Sequence, residues 1–186
     1  MNLLITTFCC HGLVLGLSYL VSWCGIEWWW LWFLYLWGSL AGWFIHLLGH
    51  QKSKNEYHLR WYAAHTLEHH VRLYPYKRFL NKIILGSNDP NEVYYRPILY
   101  VLGSTTLIFK GWFPMIVVCI VIVLIALVVS WFHDQYHLDG TVLEKYGWFL
   151  TLREIHRIHH RGQMQTNYGV IDPFWDYVFG TLVMPE

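Results

Sequence analysis

Ten of the twelve histidines in this 186-residue chain fall in four short groups. They are His46-Leu-Leu-Gly-His50, His65-Thr-Leu-Glu-His69-His70, His133-Asp-Gln-Tyr-His137 and His156-Arg-Ile-His159-His160. Imidazole suits Fe, Zn, Cu and Ni, whereas Ca and Mg take oxygen ligands. On an α-helix, residues four apart share a face with Cβ atoms about 5–6 Å apart, so each pair can serve one ion or two neighbouring ions. In a doubled histidine the second ring points about 100° around the helix from the first, which lets the two rings serve different ions. Two ions with four or five ligands each would need about eight to ten nitrogens, close to the number available. A single H-x-x-x-H at a helix end is more often incidental. Four such groups predict a metal centre.

The elements that must position these rings are apolar. Leu3–Trp23 and Trp28–Leu48 are each long enough to cross a bilayer, and Trp112–Phe132 is a third such run. Ile98–Phe109 is shorter, and extended back to Tyr94 it crosses with help from bilayer thinning or is re-entrant. The apolar fraction is 55% and charged residues make up 13%, against about 25% in soluble domains. A net charge of +1, with no basic stretch alternating with aromatics, argues against nucleic acid as a partner. The twelve tryptophans, crowded at Trp28, Trp29, Trp30 and Trp32, suit a membrane–water interface. The first apolar run reads as a retained span, because no basic residue precedes it and no small-residue cleavage site follows. Cys9, Cys10, Cys24 and Cys119 form no C-x-x-C pair and read as small apolar side chains. Gly12/Gly16 and Gly38/Gly42 have the spacing that lets helix backbones approach, here within a hairpin.

Between the hairpins, Tyr57–Tyr74 reads as a helix ended by Pro75. Tyr76–Leu85 suits the headgroup region, and Gly86–Asn91 reads as a turn. With four spans, the loop Gly49–Arg96 and the tail share one face with Met1. That face holds twelve of the thirteen Lys and Arg residues and leaves Lys110 opposite, so the positive-inside rule makes the histidine face cytoplasmic. The expected fold is all-α and a single domain over residues 1–186. It is an integral membrane bundle of about four transmembrane helices with a cytoplasmic helical cap carrying the histidine boxes. The two halves echo each other. Each has two apolar runs, an H-x-x-x-H at the end of the second, and then a box ending in a doubled histidine.

Outside the boxes, His11 reads as a hydrogen-bonded histidine within the bundle and His58 as a surface histidine. Asp134, Asp172 and Asp176 are candidates to hold ligand N–H groups, Asp176 foremost, as carboxylates commonly do behind metal-bound histidine. Glu68 reads as a solvated helix residue.

The boxes resemble the fatty acid hydroxylase superfamily of membrane proteins, which includes sterol desaturases, fatty acid 2-hydroxylases and carotenoid hydroxylases. The closest likeness is the tail: His156-x-x-His159-His160, then Asn167-Tyr168-Gly169, Phe174-Trp175-Asp176 and Phe179-Gly180-Thr181. The resemblance runs from His46 to Thr181. One departure is the second box, with three residues before its doubled histidine where relatives often have two. This leaves open which metal His65 and His69 would serve. The resemblance implies a non-haem dimetal oxygenase that hydroxylates or desaturates an aliphatic chain of a membrane lipid. It implies two Fe ions, with Zn an expected occupant after purification, and O2 as co-substrate. The ten box histidines would be ligands, supported by Asp176, Asp134, Asn167 and Tyr168. No appended haem domain or His-Pro haem-loop signature is visible, so electrons are expected from a separate reductase, ferredoxin- or cytochrome-type protein. The membrane would be the endoplasmic reticulum in a eukaryote or the inner membrane in a bacterium. The leading alternative is a dizinc membrane hydrolase acting on a lipid-like substrate, since zinc held by imidazole can activate water. A haem-binding electron carrier would place lone histidines within spans, and a metal transporter would need polar groups along them.

Overall fold

The computed structural model describes residues 3–22, 26–76, 80, 90–161 and 164–186. Most of the proposed headgroup segment and of the turn at 86–91 lies outside these residues; Pro90 and Asn91 open a helix instead. Seven α-helices are described: α1 Leu3–Val21, α2 Trp28–Gly49, α3 Glu56–Tyr62, α4 Pro90–Lys110, α5 Trp112–Tyr136, α6 Gly147–His159 and α7 Phe174–Phe179. A π-helix, Ala63–Leu73, continues α3 without a break, and a 3-10 turn, Val142–Lys145, precedes α6. No strand occurs among the described residues.

α1 and α2 form one hairpin, and α4 and α5 form the other. Gly111, at φ +86°, makes the tight turn between α4 and α5, a conformation glycine adopts without steric cost. The two hairpins meet where Trp30, Leu31 and Leu34 of α2 pack on Leu102 of α4 and Val118 of α5. Gly38 and Gly42 admit α4: a Cβ on Gly38 would stand 3.0 Å from Leu102 Cδ1, and one on Gly42 3.6 Å from Ile98 Cδ1. Gly12 and Gly16 have no such neighbour.

Two helices, Trp29–Gly49 within α2 and Trp112–Tyr136 in α5, are long and apolar enough to cross a membrane. Of the four spans expected from the sequence, these two are supported by length and composition among the described residues. Among the residues searched, the other two helices show the apolar stretches Cys10–Leu20 in α1 and Ile98–Lys110 in α4. α4 begins in a polar stretch bearing Asn91, Glu92 and Arg96. α5 exposes Ile116, Ile120, Leu124, Leu127 and Val128 along its length, an apolar surface suited to lipid.

At the histidine end, α6 docks on the end of α5 through Tyr136, Leu143, Phe149, Leu152 and Ile155. A bridge between Leu80 and Leu138, with Leu80 N donating to the His137 carbonyl at 3.0 Å, ties the central loop to the chain leaving α5. Asn55 starts α3 by accepting the His58 backbone N–H on its side chain.

Candidate metal centre

Each apolar hairpin ends in a pair of imidazoles. His46 lies in the last turn of α2 and His50 is its C-cap; His133 lies in the last turn of α5 and His137 is its C-cap. The α spacing expected for these pairs is present. For the second box the structure corrects it. On an α-helix His65 and His69 would share a face, but Ala63–Leu73 is a π-helix, whose i→i+5 pattern aligns His65 with His70. Their Nε2 atoms are 3.1 Å apart. In α6, with ordinary α geometry, His156 and His160 four residues apart reach the same Nε2 separation of 3.1 Å. The π turn thus absorbs the extra residue of the second box, and the two doubled boxes present equivalent pairs.

The ten rings converge. The ligand atoms of His46, His50, His65, His70 and His159 all lie within 4.8 Å of one another, as do those of His69, His133, His137 and His156. A third such set, His69, His70 and His160, lies between them. His70 and His160 stack with centroids 3.9 Å apart, and His160 Nε2 is 3.1 Å from His156 Nε2. Each group therefore takes both imidazoles of one hairpin and, from the following doubled box, His65 and His70 in the first group and His156 in the second. One further ring in each group crosses from the other half of the chain: His159 to the first, His69 to the second.

Hydrogen bonds set the tautomers. His46 Nδ1 donates to the Tyr168 carbonyl at 2.6 Å, His159 Nδ1 to the Thr166 carbonyl at 2.6 Å, and His160 Nδ1 to the Tyr74 carbonyl at 2.8 Å. Thr66 Oγ1 gives its one proton to the Gly49 carbonyl at 2.8 Å, so His50 Nδ1, 3.2 Å away, donates to that oxygen. The Nε2 atoms of these four rings therefore carry bare lone pairs. Two of them, on His50 and His159, face each other at 3.1 Å. Two lone pairs cannot hydrogen-bond, and a cation between them turns repulsion into ligation. Nitrogens each about 2.1 Å from one ion and about 90–95° apart stand about 3.0–3.1 Å from each other, so the spacing fits a metal. His69 Nε2 is fully buried with no hydrogen-bond partner among the described residues, as a ligand atom would be.

Burial, and after it the neighbouring imidazoles, hold His65, His69, His70, His137, His156 and His159 well below the ordinary imidazole range. Burial likewise pushes His160 down to about 3, against the opposing pull of the Tyr74 carbonyl. The rings are thus neutral at physiological pH, the form that binds metal.

The four supporting residues sit behind the rings in different ways. Asp176 is fully buried and makes no hydrogen bond to an imidazole nitrogen among the described contacts. Its carboxylate accepts from Trp43 Nε1 at 3.0 Å, Tyr168 N at 2.8 Å, Gly169 N at 2.7 Å and Thr181 Oγ1 at 2.6 Å. It acts on His46 through the backbone, by fixing the Tyr168 peptide. Tyr168 contributes that carbonyl, and its ring packs 5.6 Å from His46 and 5.7 Å from His159. Asn167, at φ 56°, donates to the Ile155 and Val183 carbonyls and accepts from Val183 N, locking the tail over α6. Asp134 is half-buried beside His133, and its carbonyl accepts the His137 backbone N–H at 3.1 Å. Asp172 lies away from the cluster, on Tyr35 and Thr7. Glu68 pairs with Arg72 on the surface.

His58 is not among the grouped rings; its Nε2 donates to the Leu48 carbonyl at 2.7 Å and ties α3 to α2. His11 lies within the bundle as expected, its Nδ1 accepting from Trp32 Nε1 at 3.3 Å. Sequence reasoning missed Thr66 and the carbonyls of Tyr74 and Thr166. A backbone carbonyl has no residue signature; for Thr66 the only signal was a hydroxyl beside His65.

Among the described residues the chain is all-helical, its two long apolar helices each end in a pair of imidazoles, and ten imidazoles converge, which suggests as a class a membrane protein with polyhistidine groups able to hold metal. A family model described as Fatty acid hydroxylase matches residues 31–181, and the chain belongs to that family. No curated protein and no solved structure matches it. The family suggests an oxidoreductase that modifies lipids as an oxygenase or desaturase.

Proposed function

We propose that this protein is a dimetal, O2-dependent oxygenase that hydroxylates or desaturates an aliphatic chain of a membrane lipid, with iron as the working metal. The observation that carries the reading is the pair of bare imidazole nitrogens on His50 and His159, 3.1 Å apart within a group of five converging rings. The second group, His69, His133, His137 and His156 with His160 adjoining, supports a second ion. Bound there, the metals would supply the strong oxidant that attack on an unactivated C–H bond requires.

The chain's own groups do the rest. The carbonyls of Tyr168, Thr166 and Tyr74 hold His46, His159 and His160 with Nε2 inward, as outer partners commonly do for metal-bound histidine. Burial keeps the rings neutral and water scarce. The cluster lies at the ends of α2 and α5, so a lipid tail can approach from the bilayer while its headgroup stays at the interface. In this reading α1 and α4 also span, and the histidine face, rich in Lys and Arg, is cytoplasmic. Electrons come from a separate reductase, ferredoxin- or cytochrome-type donor. The dizinc hydrolase alternative is not favoured, because the family's chemistry is oxidative.

Lipid mass spectrometry of cells expressing the chain, against a His159→Ala control, tests the proposal. The expected result is a lipid with one added oxygen or two fewer hydrogens, absent from the control. In a hydroxylated product, label from 18O2 should appear; an oxygen that came from water would refute the reading. Turnover by the purified protein with reduced nicotinamide cofactor alone would refute the separate donor.

A further inference from the structure

Beyond the residues that hold His46 and His159, the C-terminal segment runs down the side of α2. Trp43 Nε1 donates to Asp176, Trp175 Nε1 donates to Ser39 Oγ at 2.8 Å, and Tyr35 OH donates to Asp172 at 2.7 Å. The α2 partners step by four residues, from 43 to 39 to 35, along one face of the helix. Tyr35 precedes His46 by eleven residues, about 16 Å of helix, which is half the thickness of a hydrocarbon core of about 30 Å. Side chains on a helix lean toward its N-terminus, which is the end of α2 away from the histidines.

At that depth a polar group needs internal partners, and the segment has them. Asp172 also accepts from Thr7 Oγ1 at 3.2 Å and from Phe174 N at 3.1 Å. His11 Nδ1 accepts from Trp32, so its Nε2 carries the hydrogen that faces the Asp172 carboxylate at 3.4 Å. The carboxylate of Asp176 is likewise saturated by four donors. What the segment exposes is apolar or aromatic: Tyr177 at 73%, with Val178 and Phe179 at 49% each. α2 itself exposes Phe33, Trp37 and Phe44 at similar levels.

We propose that Asp172–Phe179 is a re-entrant segment seated in the bilayer beside α2, with Tyr177, Val178 and Phe179 against lipid hydrocarbon. The proposal rests on the reading that α2 and α5 span the membrane together. Single cysteines at Tyr177, Val178, Leu124 and Lys54, in a chain whose four native cysteines are replaced by alanine, would carry nitroxide spin labels in lipid nanodiscs. All four positions are exposed, so the labels need not disturb packing. Leu124 lies midway along α5 and serves as the lipid standard; Lys54 lies in the polar loop and serves as the water standard. Labels at 177 and 178 should show oxygen collision well above collision with a water-soluble nickel chelate, with a ratio close to that at 124 and severalfold above that at 54. Ratios at 177 and 178 matching 54, while 124 stays in lipid, would overturn the proposal alone. A water-exposed 124 would overturn the membrane-spanning reading and this proposal with it.

Discussion

Deleting Leu67 should leave the metal centre intact, although the deletion falls between two of its rings. In an α-helix five residues advance about 500°, so a helix of ordinary pitch would turn His70 about 140° away from His65. For an Nε2 about 6 Å from the helix axis, that is a displacement of about 11 Å, far outside any coordination sphere. The π-helix removes this error and brings the two Nε2 atoms to 3.1 Å. Without Leu67, which is half exposed, the box becomes His-Thr-Glu-His-His. Its first and last rings are then four residues apart, about 40° from alignment, as His156 and His160 already are in α6. The shortened segment should form a plain α-helix. Purified protein should keep the wild-type metal content, measured by inductively coupled plasma mass spectrometry, with a thermal midpoint at or above wild type. Deleting Ile158 is the contrasting case. It brings His160 to three residues from His156, about 100° from its present direction, and moves its Nε2 by about 9 Å. That variant should lose metal. If the Leu67 deletion loses metal as fully as the Ile158 deletion, while remaining helical by circular dichroism, the π turn is not a register device.

The remaining predictions concern what holds the rings. Asp176→Ala leaves four donors without their acceptor and should destabilise the chain by on the order of 3–5 kcal/mol in thermal or denaturant unfolding. Because the Tyr168 carbonyl then loses its support, metal affinity should also fall about 10–100-fold in competition with a chelator. His58→Ala removes one bond to the Leu48 carbonyl and should cost about 1 kcal/mol with metal content unchanged; a lost ion would make His58 a ligand. The metal-free chain should weaken in acid. The folded values of its buried rings lie below the unfolded value of about 6.5, His160 at about 3, so the unfolded chain binds more protons between those limits. Stability should be fully present above about pH 6.5 and fall as the pH drops from there, by up to about 1.4 kcal/mol per pH unit for each such ring. A thermal midpoint that stays flat from about pH 7 to about pH 4 would contradict the burial that makes these rings neutral.

The sequence alone specified which rings meet. Ten histidines in four boxes, two of them at the polar ends of apolar runs, had little other purpose, and all ten fall in the grouped rings, while His11 and His58 do not. It also marked α2 and α5 through uninterrupted apolar length, and α3 with its continuation through Pro75. Three things depended on tertiary structure. The crossing of His69 and His159 between halves follows from how two hairpins pack, a long-range arrangement that no local spacing encodes. The π pitch of Ala63–Leu73 is chosen because only that pitch brings both His65 and His70 to the cluster, overriding the α period that residue types alone suggest. The orientation of the rings rests on the carbonyls of Tyr74, Thr166 and Tyr168, and every residue has a carbonyl. Only the folded chain decides which of them face an imidazole.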